Sequence, residues 1–426
     1  MHDLEILVSE LDITGGDEKK VGYYAGMIES VFFLTEAMFV LQWSRISDYI
    51  GRKPVLLTGM AGLCMSMICF GISKTFLHLV LSRCLVGALN GNIGVIKSMM
   101  GELTDSTNMA QGFALMPVVW SAGATLGPMI GGQLAKPHDR WPNLFTAPIW
   151  TQYPYLLPCA VSASFSAFTF VIASIFLKET VQRRHSKQKS VRILVQAEED
   201  PLLREESLED PATLRSLMVR PVLLSVLSYG TLCLLDIAYR AIQPLFFSTP
   251  IALGGLGFTP ATIGLVLGIF GLLNGSLQAL FFARVIRRWP KRVFMAGMAC
   301  FVPLFGMFPV INALARPDGL TYIVWAAIVL QLTISVVMDM SFAASFMFVT
   351  TSAPNKRSLG ATNGVAQVIA ALLRSVGPAS ATSLFALSLE HNWLGGKAVY
   401  VILMLTSCVL WFVAIPLPYD GWTRNW

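Results

Sequence analysis

Residues Trp43-Ser44-Arg45-Ile46-Ser47-Asp48-Tyr49-Ile50-Gly51-Arg52-Lys53 carry the reading that decides the fold of this chain. They form a short polar turn between two long apolar stretches, 22–43 and 54–73. An apolar stretch of about 20 residues is what a helix needs to cross the hydrocarbon core of a bilayer. The cations Arg45, Arg52 and Lys53 belong on the cytoplasmic side of such a crossing. Gly51 permits a tight turn, and Asp48 can accept hydrogen bonds from a helix N-terminus or a neighbouring Arg.

Working outward, nine more apolar stretches follow, at 77–100, 109–134, 154–177, 219–247, 260–283, 293–313, 321–349, 359–386 and 397–418. The expected fold class is an all-α polytopic membrane protein with eleven spans. Composition agrees: of 426 residues, 54% are hydrophobic and 13% charged, with a mean hydropathy of +0.62, which excludes an ordinary soluble domain. The net charge of +6 is no nucleic-acid signal, because its distribution follows the loops. With the N-terminus outside, and Arg220 and Lys397 counted with their adjoining loops, 20 of the 31 Lys and Arg fall on one side, seven on the other and four within spans. The rich side is cytoplasmic by the positive-inside rule.

All seven Cys lie within spans and read as small apolar residues, and the five His lack metal-ligand spacing. With no P-loop pattern and no nucleophile–base set, neither cofactor nor metal nor enzymatic activity is expected. The chain divides into an extramembrane tail (1–21), a bundle of five spans (22–177), a mixed-charge cytoplasmic connector (178–218), a bundle of six spans (219–418) and a cytoplasmic tail (419–426). No cleavable signal peptide is expected before the first span; the tail sets six acids against Lys19 and Lys20 and suits insertion with the N-terminus outside. The two bundles echo each other: basic turns follow 22–43 and 260–283, and Gly127-Pro128 in 109–134 answers Gly377-Pro378 in 359–386. Such parallel repeats are a transporter signature with a site at mid-membrane. An odd span count leaves the first bundle one helix short, so either the topology is unusual or a first helix is missing.

The turn at 43–53 resembles the signature loop of the major facilitator superfamily, Gly-x-Leu-Ala-Asp-Arg-x-Gly-Arg-Lys, through Asp48, Gly51, Arg52 and Lys53; Ser44 and Tyr49 depart from it. Arg83-x-x-x-Gly87 resembles the family's fourth-helix motif, with Val86 where a Gln is usual. Gly123-x-x-x-Gly127-Pro128-x-x-Gly131-Gly132 resembles the fifth-helix motif of its drug:proton antiporters. With Trp43, Gly91-Asn92 and Glu102-Leu103-Thr104-Asp105, the pattern is most similar to the zinc-induced-facilitator-like group of fungi and plants. The resemblance implies two pseudo-symmetric helical bundles, a cytoplasmic latch made by Asp48, Gly51, Arg52 and Lys53, and a fifth family helix able to rock at Gly127-Pro128. It implies no particular cargo.

Eight ionisable residues fall inside spans: Glu29, Glu36, Arg83, Lys97, Asp236, Arg240, Asp339 and Arg374. A charge at the bilayer centre costs on the order of 3 kcal/mol, so eight uncompensated ones would total roughly 24 kcal/mol. That exceeds ordinary net stability, so these groups must pair or line a watery path. Arg83, Gly87, Asn90, Gly94 and Lys97 step along one helical face; Asn90 and Lys97 thereby join the candidate pathway, against a purely structural stripe. Asp236 and Arg240, four apart, form either a structural pair or part of the pathway. Glu29 and Glu36 have no cation in their own span and suit reversible protonation, unless Arg83 pairs with them. Asp339 joins Gln331 and Ser335 in a stripe and either serves the pathway or snorkels, and Arg374 stands in line with Gly364 and Gln367.

The expected protein is therefore an integral, multi-pass membrane transporter, in a plasma or vacuolar membrane, acting as a monomer on a small organic solute. Alternating access coupled to proton counterflow is the leading expectation. An uncoupled facilitator, a solute sensor on the same fold, and an inactive shortened product are the alternatives.

Overall fold

The computed structural model describes residues 18–105, 108–180, 217–355 and 358–417, apart from the side chains of 18–26, Glu29 and a few scattered positions that include Pro128. The expected N-terminal tail, most of the connector and the C-terminal tail thus lie outside the described residues. Every regular element described is helical.

The first helix, α1 (Glu18–Ile50), is 33 residues long, about 50 Å at 1.5 Å per residue and well beyond the hydrocarbon thickness. It stops at Gly51, whose φ of 109° lies where side chains other than glycine are strained, and α2 (Arg52–Gly71) starts at once. Glu179, beyond the far end of the half, caps that start: its carboxylate accepts from Arg52 N at 2.8 Å and Lys53 N at 3.1 Å. A Cβ on Gly51 would fall 2.3 Å from this carboxylate, so the glycine serves both the turn and the cap.

The expected span 77–100 is two helices, α3 (Phe76–Leu89) and α4 (Asn92–Leu103). The break at Asn90-Gly91 is held open by Trp43, whose Nε1 donates to Ala88 O at 2.7 Å while its ring lies where a Gly91 Cβ would be. Next come α5 (Met109–Leu134), the short α6 (Pro137–Arg140) and α7 (Pro148–Gln152), and α8 (Leu156–Phe176), which packs along α2.

The second half comprises α9 (Arg220–Ser248), α10 (Pro260–Leu277), a π turn at Gln278–Phe282 leading into α11 (Ala283–Arg288), α12 (Pro290–Ala299), α13 (Phe301–Asp318), α14 (Tyr322–Thr351), α15 (Leu359–Glu390) and α16 (Ala398–Ala414). Pro221, Pro260 and Pro290 sit in first turns, where their missing N–H leaves no bond unmade. The Thr259 hydroxyl caps α10 by accepting from Thr262 N.

Among the described residues, nine helical segments are long and apolar enough to cross a membrane. The long α1 covers the first expected span, and the seventeen-residue α16 lies in the last. Large apolar side chains such as Phe165, Phe176, Leu265 and Leu405 are exposed on outward surfaces, a pattern that suits lipid rather than water. The main apolar core lies in the second half, around Phe246, Phe294, Phe301, Phe305 and Phe308; Val55, Leu56, Val95 and Met99 form a smaller one in the first.

Two seams join the halves. In one, α1 and α4 pack on α15; in the other, α5 packs on α10 and α14. Small residues let the first seam close: a Cβ on Gly364 would stand 2.8 Å from Ser44 Cβ. In the second, Ser121 Oγ donates to Gly271 O at 2.7 Å and Thr125 packs against the same turn. The glycine motif of α5 does not make this contact: Cβ atoms built on Gly123, Gly127 and Gly132 meet nothing within 4 Å.

This contrast between glycines predicts opposite outcomes. A Cβ on Gly87 would lie 2.1 Å from Thr35 Oγ1 and 2.5 Å from Phe32 O on α1, so Gly87→Ala should destabilise the protein by about 1–3 kcal/mol through overpacking. Gly123→Ala should leave stability unchanged or raise it by up to about 1 kcal/mol, since Ala is the better helix former. Thermal unfolding of the two purified variants, followed by tryptophan fluorescence, checks both.

Candidate functional site

The buried polar residues of the first seam converge on Lys97. This side chain leaves α4 and ends wholly inside the second half. Its Nζ donates to Tyr229 Oη on α9 at 3.1 Å and to Gln367 Oε1 on α15 at 3.2 Å. The ammonium also stands over two rings, 4.0 Å from the centroid of Phe346 on α14 and 4.7 Å from that of Tyr229, an arrangement that stabilises a desolvated cation. Tyr229 Oη donates in turn to Gln367 Oε1 at 3.4 Å. On its other side, Gln367 Nε2 donates to Glu36 Oε1 on α1 at 3.3 Å. Glu36, Lys97 and Gln367 are 3%, 3% and 1% exposed. A carboxylate and an ammonium, both from the first half, are thus separated by an amide of the second half, whose N–H faces the anion and whose C=O faces the cation.

Asn363, one turn before Gln367, donates to Ser98 Oγ on α4 at 3.2 Å and tightens the same crossing. Arg374 lies two turns beyond Gln367 on α15, half-buried and within electrostatic range of Glu36 and Asp236. Ser30 Oγ reaches Ser375 O at 3.2 Å nearby. The side chain of Glu29, the other expected carboxylate, lies outside the described residues.

The break in the expected span 77–100 divides the stripe read along it. Arg83, on α3, turns into the first half: its guanidinium stands 4.7 Å over the Phe70 ring of α2. Lys97, on α4, turns into the second. Asn90 terminates α3, its N–H donating to Gly87 O at 3.4 Å. Gly87 and Gly94, on either side of the break, both meet α1, so the glycines of the stripe keep one face while Arg83 and Lys97 turn to opposite halves.

A separate charged group occupies the second half. Arg240 Nε donates to Asp236 Oδ1 at 2.8 Å, the expected pair one turn apart, and Arg240 Nη2 donates to Asp339 Oδ1 on α14 at 2.7 Å. Asp339 does not snorkel; it is 5% exposed and accepts from Asn274 Nδ2 on α10 at 2.7 Å. Gln331 and Ser335, its stripe partners, bond the nearby backbone at Leu304 O and Leu332 O.

At the polar end of the first seam the turn 43–53 forms a latch. Asp48 accepts from Gly360 N and Ala361 N, both at 3.0 Å, at the N-terminus of α15, where the helix dipole favours an anion. Arg52 Nη1 lies 2.7 Å from Asp48 Oδ1, and its Nη2 2.6 Å from Glu102 Oε1 on α4. Burial raises the Asp48 carboxyl to about 6, against the pull of Arg52 and the two amides, so it is ionised at neutral pH. The Thr180 hydroxyl donates to Glu102, and Lys53 Nζ donates to Ser174 O at 2.7 Å. All four residues of the expected loop are therefore engaged, with Glu102, Glu179 and Thr180 added.

Tyr229, Phe346 and Gln367 are the central residues that sequence reasoning left off its candidate set. Their signal was faint but present: Ser225, Tyr229, Asp236 and Arg240 recur at helical spacing along α9, and Gln367 shares a face with Arg374. An apolar crevice of about 440 Å³, lined by residues that include Leu57, Met65, Leu89 and Phe170, opens between α2, α3 and α8 and holds none of these charged groups.

The family model of the Major Facilitator Superfamily matches residues 5–378. The chain is 30% identical to the major facilitator-type transporter psiT2 of Psilocybe cubensis, over 94% of this chain and 83% of that one. It is 29% identical to the protein ZINC INDUCED FACILITATOR 1 of Arabidopsis thaliana, over 87% and 77%. Its fold superposes on the crystal structure of the human organic anion transporter MFSD10 (TETRAN) with a TM-score of 0.66 and 19% identity, covering 97% of this chain and 88% of that one. With a family model that spans most of its length, a relative 30% identical over nearly the whole chain, and nine membrane-length helical segments among the described residues, the chain belongs to the major facilitator superfamily.

Proposed function

We propose that this protein is a secondary transporter that moves a small organic solute by alternating access, in exchange for protons. The observation that carries the reading is the chain Glu36–Gln367–Lys97–Tyr229, which links both halves through charges buried in the membrane. Glu36 meets Lys97 through an amide, with Arg374 in electrostatic range, and it can gain a proton without leaving a bare ammonium, because the two aromatic rings still hold Lys97. Protonation removes the charge that Gln367 Nε2 faces and loosens the seam at mid-membrane. Glu29, Glu36, Arg83, Asn90, Lys97 and Arg374 are the proposed substrate and proton pathway, with Asp236, Arg240 and Asp339 beside it in the second half.

The two halves of this reading are a five-span bundle (22–177) and a six-span bundle (219–418), joined by a cytoplasmic connector at 178–218, and the working unit is a monomer without enzymatic activity. The latch closes the cytoplasmic end, and α5 provides a rocking element along its open glycine face, Gly123, Gly127, Pro128, Gly131 and Gly132. The relatives include an organic anion transporter and a zinc-induced facilitator, which leaves the cargo class open.

Two outcomes test the reading. In proteoliposomes screened with labelled small organic anions and cations, an imposed proton gradient should drive accumulation of the cargo, and Glu36→Gln should abolish that drive while sparing cargo counterflow. Counterflow with no response to the gradient in the unaltered protein would leave a facilitator, and cargo binding without counterflow a sensor. Asp48→Asn should remove a charged acceptor, a loss of about 1.5–3 kcal/mol or roughly 10- to 100-fold in the closed population. Pulsed electron-resonance distances between labels at the exposed Tyr49 and Pro354 should then lengthen and broaden.

A further inference from the structure

The charged group of the second half carries more than a local ion pair needs. One base, Arg240, whose side chain is 39% exposed, serves two buried acids, Asp236 and Asp339, so the three charges sum to minus one. Two amides extend it: Asn274 Nδ2 donates to Asp339 Oδ2 at 2.7 Å, and Gln278 Nε2 donates to Asn274 Oδ1 at 2.9 Å. Gln278 is 1% exposed, and its Oε1 has no hydrogen-bond partner. A buried acceptor without a donor, at the end of a chain leading to a carboxylate, gives that chain a second arrangement in which each amide points the other way. The backbone departs from the α ladder at the same residue, where the π turn begins, a feature concentrated at functional sites.

We propose that Asp339 is a second protonation site, distinct from Glu36, and that the Asn274–Gln278 amide chain reverses direction when it is occupied. The proposal rests on the proton-coupled reading above. A proton delivered by water forms an O–H bond at Asp339 Oδ2 and returns to water when the site empties. The protonated oxygen becomes a donor, so Asn274 turns its Oδ1 toward it. Asn274 Nδ2 then donates to Gln278 Oε1, the acceptor that lacks a partner in the ionised state. The number of hydrogen bonds is unchanged, and the excess negative charge is gone. Arg240, Asp236 and Tyr239 from α9 are the titratable groups facing Asp339, with Arg374 of α15 in range of Asp236. Since Asn274 and Gln278 lie on the helix that Ser121 and Thr125 grip across the second seam, the reversal is delivered to the contact between the halves.

Infrared difference spectra of the full chain in phosphatidylcholine vesicles, stepped in pH in light and heavy water, test the proposal. Once the band that Asp48→Asn removes is set aside, since burial raises that carboxyl to about 6, the unaltered protein should show two deuterium-sensitive carboxylic C=O bands. Glu36→Gln should remove one and Asp339→Asn the other, while Gln278→Leu shifts the position of the second band alone. If Asp339→Asn cannot be reconstituted, the shift in Gln278→Leu carries the test by itself. A spectrum whose only such band disappears with Glu36→Gln overturns the proposal, as does a second band indifferent to Gln278→Leu. A band that follows replacement of sodium by choline at constant pH also overturns it, and makes the group a sodium site. A single band that survives Glu36→Gln and moves with Gln278→Leu supports the Asp339 site and sinks the primary coupling reading instead.

Discussion

The burial of one ammonium group, Lys97 Nζ, is the constraint on which the arrangement of the first seam depends. Water cannot solvate it, so the second half must: Tyr229 and Gln367 supply acceptors, and Phe346 and Tyr229 supply ring faces. These residues come from α9, α14 and α15, so the need of a single side chain from α4 holds three helices of the opposite half in register. The small residues Ser44, Gly94, Ser98 and Gly364 follow from the same demand, because α4 and α1 must come close to α15 for the lysine to reach.

The latch and the Lys97 cluster lie on the same pair of helices, α1 and α15, at two heights. Asp48 meets the N-terminus of α15, and Glu36, twelve residues earlier on α1, meets Gln367, seven residues into α15 beyond Gly360. The two contacts therefore close the same helix pair at two points along its length. Among the described residues the second seam has no ion pair across it; it rests on Ser121, Thr125 and glycine contacts, the kind of surface on which helices slide at little cost. One ionic seam and one smooth seam suit a motion in which the halves rock about the second while the first breaks and reforms.

Much of this is legible in the amino-acid sequence itself. The spans are, because roughly twenty apolar residues in a row have few other uses. The Asp236–Arg240 pair is, because a four-residue step sets two side chains together whatever surrounds them. The latch loop is legible from Asp48, Gly51, Arg52 and Lys53, yet its other members, Glu102 and Glu179, are not, since they come from 50 and 127 positions away. The break at Asn90-Gly91 is hidden by a regular polar stripe that a continuous helix would also have produced. It takes Trp43, from another helix, to bond the freed Ala88 carbonyl. The glycines of α5 promise close packing, and the structure puts the contact on Ser121 and Thr125 instead, because a motif records which residues are small and not which neighbour arrives.

Placing an amide between Glu36 and Lys97 decides what the pair can do. Two opposite charges 4 Å apart attract by about 4 kcal/mol at an effective dielectric of 20, and at roughly twice that separation by about 2 kcal/mol. Direct contact would lock the carboxylate in its ionised form and make the seam permanent. With Gln367 between them, the pull of Lys97 on the carboxylate is about half as strong, and the seam is held there by hydrogen bonds through the amide. The ammonium does not depend on the carboxylate for its support, because rings and a phenol hold it independently of Glu36. A seam built in this way can weaken without collapsing, which is what a carrier that must close again requires.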